Sequence, residues 1–260
     1  MPPAYRNETD NTTNPLQRLH DLSYTLGNCR ALVYNRFQPD TFGDDLLSRL
    51  YDLCLLSRPS HLFGILPETQ CGMSDLTRDA MISYWASKSI LLLTITPPST
   101  TLATVSGKRM IDMLPDNSRI AGFAYLPAIL GAPANPPGQP QPIGPRSATG
   151  AYAFFRDWWG TPEIEVLAML GLAHFFHSYH LAAIHGQRYT RNALTARFMS
   201  RFGFTDTGTL PFFLVDFPSG ADRTPANMQL VSCTLSTLLR EDFITYVERE
   251  LESIADIDSV

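Results

Sequence analysis

The stretch from residue 149 to residue 189 constrains the fold more than any other part of the chain. Between two short strand candidates, TGAYAFFRD (149–157) and LAAIHGQRY (181–189), it places a helix running from about Pro162 to Tyr179. That helix is apolar nearly all round, so it has to be covered on several sides and lies buried. A strand, a buried helix and a second strand form a unit of a sheet with helices on its faces.

The rest of the chain supplies further pieces of the same kind. RALVYNRF (30–37), SILLLTIT (89–96), RIAGFAYLP (119–127), TGTLPFFLVDF (207–217) and MQLVSCTLS (228–236) have the length and the β-branched or aromatic content of strands. DDLLSRLYDLCLLS (44–57), DLTRDAMISYWAS (75–87), NALTARFMSRFG (192–203) and REDFITYVERELESIA (240–255) carry apolar residues at helical spacing. The predicted order is β-α-α-β-β-β-α-β-α-β-β-α, a mixed sheet in one α/β domain over 23–260. Two proline-rich stretches, 126–147 and 216–227, are expected to be long loops, because proline removes a donor and fixes φ. Residues 1–22 read as a polar, mobile leader.

Composition narrows the function classes. The net charge of −5 argues against a general nucleic-acid binder, which would show a basic surface. No apolar run is long enough for a membrane span, and the N-terminus MPPAYRNETDNTTNP lacks the apolar centre of a signal peptide. Cys29, Cys54, Cys71 and Cys233 are scattered, without a C-x-x-C pair, which suits free thiols in a reducing compartment. The expectation is a cytoplasmic protein with no nucleic-acid or membrane partner.

The turn Gly160-Thr161-Pro162 opens the buried helix, and unpaired N–H groups at a helix start attract anions. Asn192 stands where an N-cap is expected. His174, His177, His180 and His185 cluster in sequence, but no carboxylate or cysteine completes a known ligand spacing, so no metal is expected.

Three stretches resemble the GNAT N-acetyltransferase superfamily. RNALTARFMSRFGF is similar to its Asn-x-x-Ser/Ala-x-Arg helix with a following Gly-Phe, matched by Asn192, Thr195, Arg197, Gly203 and Phe204. YAFFRDWWGTPEIEVL resembles the strand, aromatic-glycine turn and helix start that hold the pyrophosphate of acetyl-CoA. TLSTLLREDF resembles the ending of the ribosomal-protein N-terminal acetyltransferase branch. The likeness follows element order over 30–250 and is strongest over 149–243.

The resemblance implies a GNAT-type mixed, twisted and splayed central sheet flanked by helices, with acetyl-CoA as co-substrate between the strands 149–157 and 181–189. It implies backbone contacts from Ala153, Phe154 and Phe155, a pyrophosphate site from Arg156 through Gly160 and Thr161, and a pantetheine contact from Asn192 on a helix that also carries Thr195 and Arg197. The implied reaction is acyl transfer to an amine by direct attack. The acceptor could be a protein N-terminus, a lysine, a polyamine or another small molecule, and a homodimer is compatible.

The sequence also departs from the family. Pro162 offers no N–H to a phosphate, and Glu163 sets a negative charge beside a dianionic ligand. Met199 stands where many members have a tyrosine acid. The general base stays open, with Tyr152, His185 and Ser232 (or its neighbour Cys233) as proton carriers that fit packing roles equally well. A GNAT-fold binding or assembly protein without catalysis is the alternative reading.

Overall fold

The computed structural model describes residues 15–21, 24–34, 45–57, 78–96, 119–131, 145–216, 227 and 229–257. In chain order they form α1 (Pro15–Asp21), β1 (Thr25–Leu26), β2 (Cys29–Tyr34), α2 (Leu46–Ser57), α3 (Arg78–Ala86), β3 (Ile90–Ile95) and β4 (Arg119–Leu130). Then follow β5 (Ser147–Phe154), a 3₁₀ turn (Arg156–Trp158), α4 (Pro162–Ser178), β6 (Ala183–Tyr189), α5 (Ala193–Arg201), β7 (Thr205–Asp216), β8 (Gln229–Leu239) and α6 (Arg240–Ile257).

The described strands join in one sheet of order β1-β2-β3-β4-β5-β6-β8-β7. Neighbours are antiparallel except β5 and β6, which run parallel. Side chains alternate across a strand, so each strand feeds two layers. In β3, buried along its whole length, Leu91, Leu93 and Ile95 face one core while Ile90 and Leu92 face the other. The first core packs α1, α4 and α6 on the sheet through Leu16, Leu19, Leu170, Phe175, Phe176, Phe243 and Val247. The second packs α2 and α3 through Leu46, Leu50, Met81 and Trp85 against Phe123, Tyr125 and Phe155. No helix among the described residues is long and apolar enough to cross a membrane.

Two expectations need correction. The leader was expected to be mobile to residue 22, but Pro15–Asp21 is helical and Leu16 and Leu19 are both 0% exposed. Its apolar pair, three apart on one face, docks on α4 and α6; residues 1–14 lie outside the described ones. The proline loop begins later than expected, because β4 continues through Pro127 to Leu130. The register shifts between Tyr125 and Ala128, so the proline sits where the ladder is already irregular and needs no N–H there. The remainder of that loop from residue 132 to 144, and residues 217–226 of the second, lie outside the described residues.

Candidate functional site

The site arises where the two parallel strands part. β5 and β6 pair only at Ser147↔Ala183, Ala148↔Ile184 and Thr149↔His185. Beyond Thr149, β5 stays with β4 as far as Phe154, and β6 stays with β8 as far as Tyr189. Each strand follows the twist of its own antiparallel partner, and the pair splays. Between them lies a cleft of about 430 Å³, lined by Ile164, Ala168 and Leu172 of α4 and by Thr195, Phe198 and Met199 of α5.

Backbone direction decides which β5 residues can serve a ligand in that gap. Phe155 donates its N–H to Ala121 O at 2.8 Å. Polar groups alternate along a strand, so Ala151 and Ala153 also face β4 while Tyr152 and Phe154 face the cleft. Of Ala153, Phe154 and Phe155, only Phe154 can make the expected backbone contact; Ala153 and Phe155 are committed to β4 and bury their side chains in the second core. Even at Phe154 the carbonyl is occupied, accepting the Trp159 Nε1–H at 2.7 Å.

The start of α4 is the expected phosphate cradle, and its donors are largely spent. Thr161 gives its N–H to Trp158 O at 3.2 Å and its hydroxyl to the same carbonyl at 2.9 Å. Pro162 has no N–H, and Ile164 donates to Thr161 O at 3.3 Å. Glu163 and Glu165 fill the first turn, where acidic side chains already answer the helix dipole. Glu165 is ion-paired with Arg201 of α5. The field of Glu163 registers on Cys29, whose thiol is pushed up to about 12, by burial first and by that carboxylate second. Gly160 lines the cleft at φ +80°, a conformation that favours glycine. Arg156 opens the 3₁₀ turn.

On the opposite wall, Asn192 caps α5, accepting the Thr195 N–H on Oδ1 at 3.1 Å. Its side-chain NH₂ is not used by that bond, and both Asn192 and Thr195 line the cleft. Arg197 is exposed and does not line it. Met199, at the position of the family's tyrosine, covers Gly186: a Cβ built on Gly186 would lie 2.4 Å from Met199 Cε. The polarizable, adaptable thioether fills the space left by the glycine.

The three proton-carrier candidates separate. His185 stands at the last β5–β6 pair, lines the cleft, and shares a hydrogen bond through Nδ1 with Thr237 Oγ1 at 3.0 Å. Tyr152 also lines the cleft, but its hydroxyl is buried without a hydrogen-bond partner against Gly171, and burial raises its pKa well above 10. It stays protonated at neutral pH and cannot be a base. Ser232 lies on β8 away from the cleft, its carbonyl accepting the Thr190 N–H, and the neighbouring Cys233 is fully buried.

The histidines divide as well. His177 meets His20 of α1, their rings 4.4 Å apart, and His174 packs edge-on against Tyr24, whereas His180 is exposed and His185 belongs to the cleft. His174 is lowered to about 4, by burial first and then by His177 and His20. Among the described residues no group of three or more His, Cys, Asp or Glu could hold a metal ion.

One cleft residue escaped the sequence reading. Arg188 is buried on β6 and paired with Asp206 of β7 at 2.6 Å. An arginine inside a predicted strand was the available signal, but its partner on β7 could not be seen without the sheet.

No family model and no curated protein matches this chain. Solved structures do. The spermidine N-acetyltransferase from Vibrio cholerae in complex with CoA and spermine is 11% identical, with a TM-score of 0.51, over 84% of this chain and 98% of that one. Mycobacterium smegmatis RimJ in complex with CoA-disulfide is 12% identical, with a TM-score of 0.51, over 86% and 88%. At such identities the likeness establishes the fold, which is that of the GNAT acetyltransferases.

Proposed function

We propose that this chain is an acyl-CoA-dependent N-acyltransferase, with acetyl-CoA as the preferred co-substrate and an amine as acceptor. The observation that carries the reading is the splay of β5 from β6, which opens a cleft with the Phe154 N–H on one wall and Asn192 on the other. The solved relatives of this fold include complexes with CoA and with CoA-disulfide.

The fit to the cofactor is good along the cleft and poor at the α4 terminus. The cleft volume falls within the range of about 300–1,000 Å³ usual for ligand pockets. Phe154 would pair its N–H with the pantetheine arm as an added strand does, and Asn192 would hold the same arm through its amide. Gly160 would line the phosphate end, and Thr161 beside it has both its donors committed to Trp158 O. Acetyl-CoA would supply the acyl group as an activated thioester.

The acceptor amine has to be neutral to attack. His185 is the cleft-lining group suited to that task. With Nδ1–H donating to Thr237 Oγ1, its Nε2 keeps a free lone pair for the amine proton. The acceptor class includes protein N-termini, lysine and small amines, and the spermidine enzyme among the relatives adds polyamines to the first screen. A cytoplasmic site of action belongs to the same proposal.

The spent donors at the start of α4, and Met199 over Gly186, favour a second reading: a GNAT-fold binding module without acyl transfer. Calorimetry with CoA and acetyl-CoA, followed by thiol release from acetyl-CoA in the presence of amines, separates the two. Micromolar CoA binding with amine-dependent thiol release is expected. A folded sample that binds no CoA at millimolar concentration would sink the enzyme reading.

A further inference from the structure

Among the described residues that line the cleft, Arg188 is the one Arg or Lys, and no Asp or Glu lines it. The guanidinium is held from behind. Nη2 donates to Asp206 Oδ2 at 2.6 Å, Asp206 Oδ1 accepts the Ser236 hydroxyl at 2.6 Å, and Nη1 reaches Thr190 O at 3.4 Å. Nε is buried with no hydrogen-bond partner.

The ion pair is lopsided. The Arg188 side chain is 8% exposed and that of Asp206 57%. Water shares the carboxylate's charge, so the buried cation is only partly neutralised. A buried guanidinium with an idle donor costs stability. It is preorganised for a planar or tetrahedral oxyanion, the ligand geometry that arginine matches best.

A phosphate-bearing ligand in this cleft lacks the usual cradle, because Pro162 has no N–H, Thr161 has committed its own, and Glu163 repels. We propose that Arg188 binds a phosphate oxygen of acyl-CoA through its Nε edge, and that Asp206 and Ser236 are positioning residues that fix the guanidinium. The positive charge of the site has moved from the helix start to β6. This assignment rests on the cleft being the acyl-CoA site.

The test compares CoA with pantetheine, which lacks the phosphates, using the full chain. In ¹H–¹⁵N spectra of the arginine Nε–H groups, CoA is expected to shift the Arg188 resonance and pantetheine to leave it in place. By calorimetry, Arg188→Lys should weaken CoA about tenfold or more, as expected for losing a hydrogen bond to a charged group, and change pantetheine affinity less than about twofold. Asp206→Asn should weaken CoA by a smaller factor while leaving pantetheine alone. Should Arg188→Lys fail to fold, the parent's Nε–H resonance, identified through neighbouring protons, decides alone. A parent that binds CoA without moving that resonance, or variants that lose CoA and pantetheine equally, would overturn the assignment and leave the acyl-CoA reading standing. A folded parent that binds neither compound would overturn both.

Discussion

Replacing Asn192 tests structure and ligand binding at one atom each. Its Oδ1 accepts the Thr195 N–H at 3.1 Å, while its amide NH₂ is the group proposed for the pantetheine arm. Asn192→Ala removes both, and Asn192→Ser keeps a capping oxygen but no amide. Loss of the cap should cost about 1 kcal/mol. The cost should be felt in full, because no residue of α5 itself is fully buried to hold the helix in place. For a chain of this size that corresponds to a melting temperature lower by roughly 2–4 °C. Asn192→Ser should melt within about 1 °C of the parent, since serine ranks with asparagine as a cap. Both variants should bind CoA more weakly by roughly 2- to 10-fold, the worth of one ordinary hydrogen bond. Differential scanning calorimetry and titration calorimetry on the three proteins give the answer. Equal melting of parent and Asn192→Ala would refute the capping argument, and undiminished CoA affinity in Asn192→Ser would refute the amide contact.

Gly122→Ala should be severely destabilising by urea unfolding, at the upper end of the roughly 1–3 kcal/mol of overpacking. Its Cβ would stand 2.3 Å from the Ala153 backbone oxygen, which cannot move without breaking the β4–β5 ladder. At Gly186 the obstacle is instead the end of Met199, so Gly186→Ala should cost under about 1 kcal/mol and be relieved by Met199→Ala, a coupling read from a double-mutant cycle. For pH, His174 is lowered from 6.5 to about 4 in the fold, so the unfolded chain binds the extra proton between those values. Its contribution is present above pH 6.5 and is lost as pH falls toward 4, by up to roughly 3 kcal/mol at about 1.4 kcal/mol per unit. Melting curves over that window should be flatter for His174→Gln than for the parent; parallel curves would contradict the burial argument.

Much of this molecule follows from local pattern. The buried α4, the fully apolar β3, the Asn192 cap and the compromised turn at Pro162 and Glu163 each depend on residues close together in the chain. Their spacing and chemistry are readable without a fold. Even α1 was within reach, since Leu16 and Leu19 stand three apart after a proline suited to a helix start. A helix of seven residues, however, is too short to hold without a surface to dock on.

What only the tertiary structure decided is which polar group meets which. Phe154 offers its N–H to the cleft and Ala153 does not, because β5 took β4 as its partner with one particular register. Arg188 found Asp206 18 residues away and Asp206 found Ser236 30 residues away, through a sheet order that runs β6-β8-β7 rather than by sequence. His20 reached His177 only because α1 docked on α4. Hydrophobic periodicity is a property of neighbours in the chain and marks the elements. Strand order and register are set by the global burial of those elements, and they alone place single donors and charges at the site.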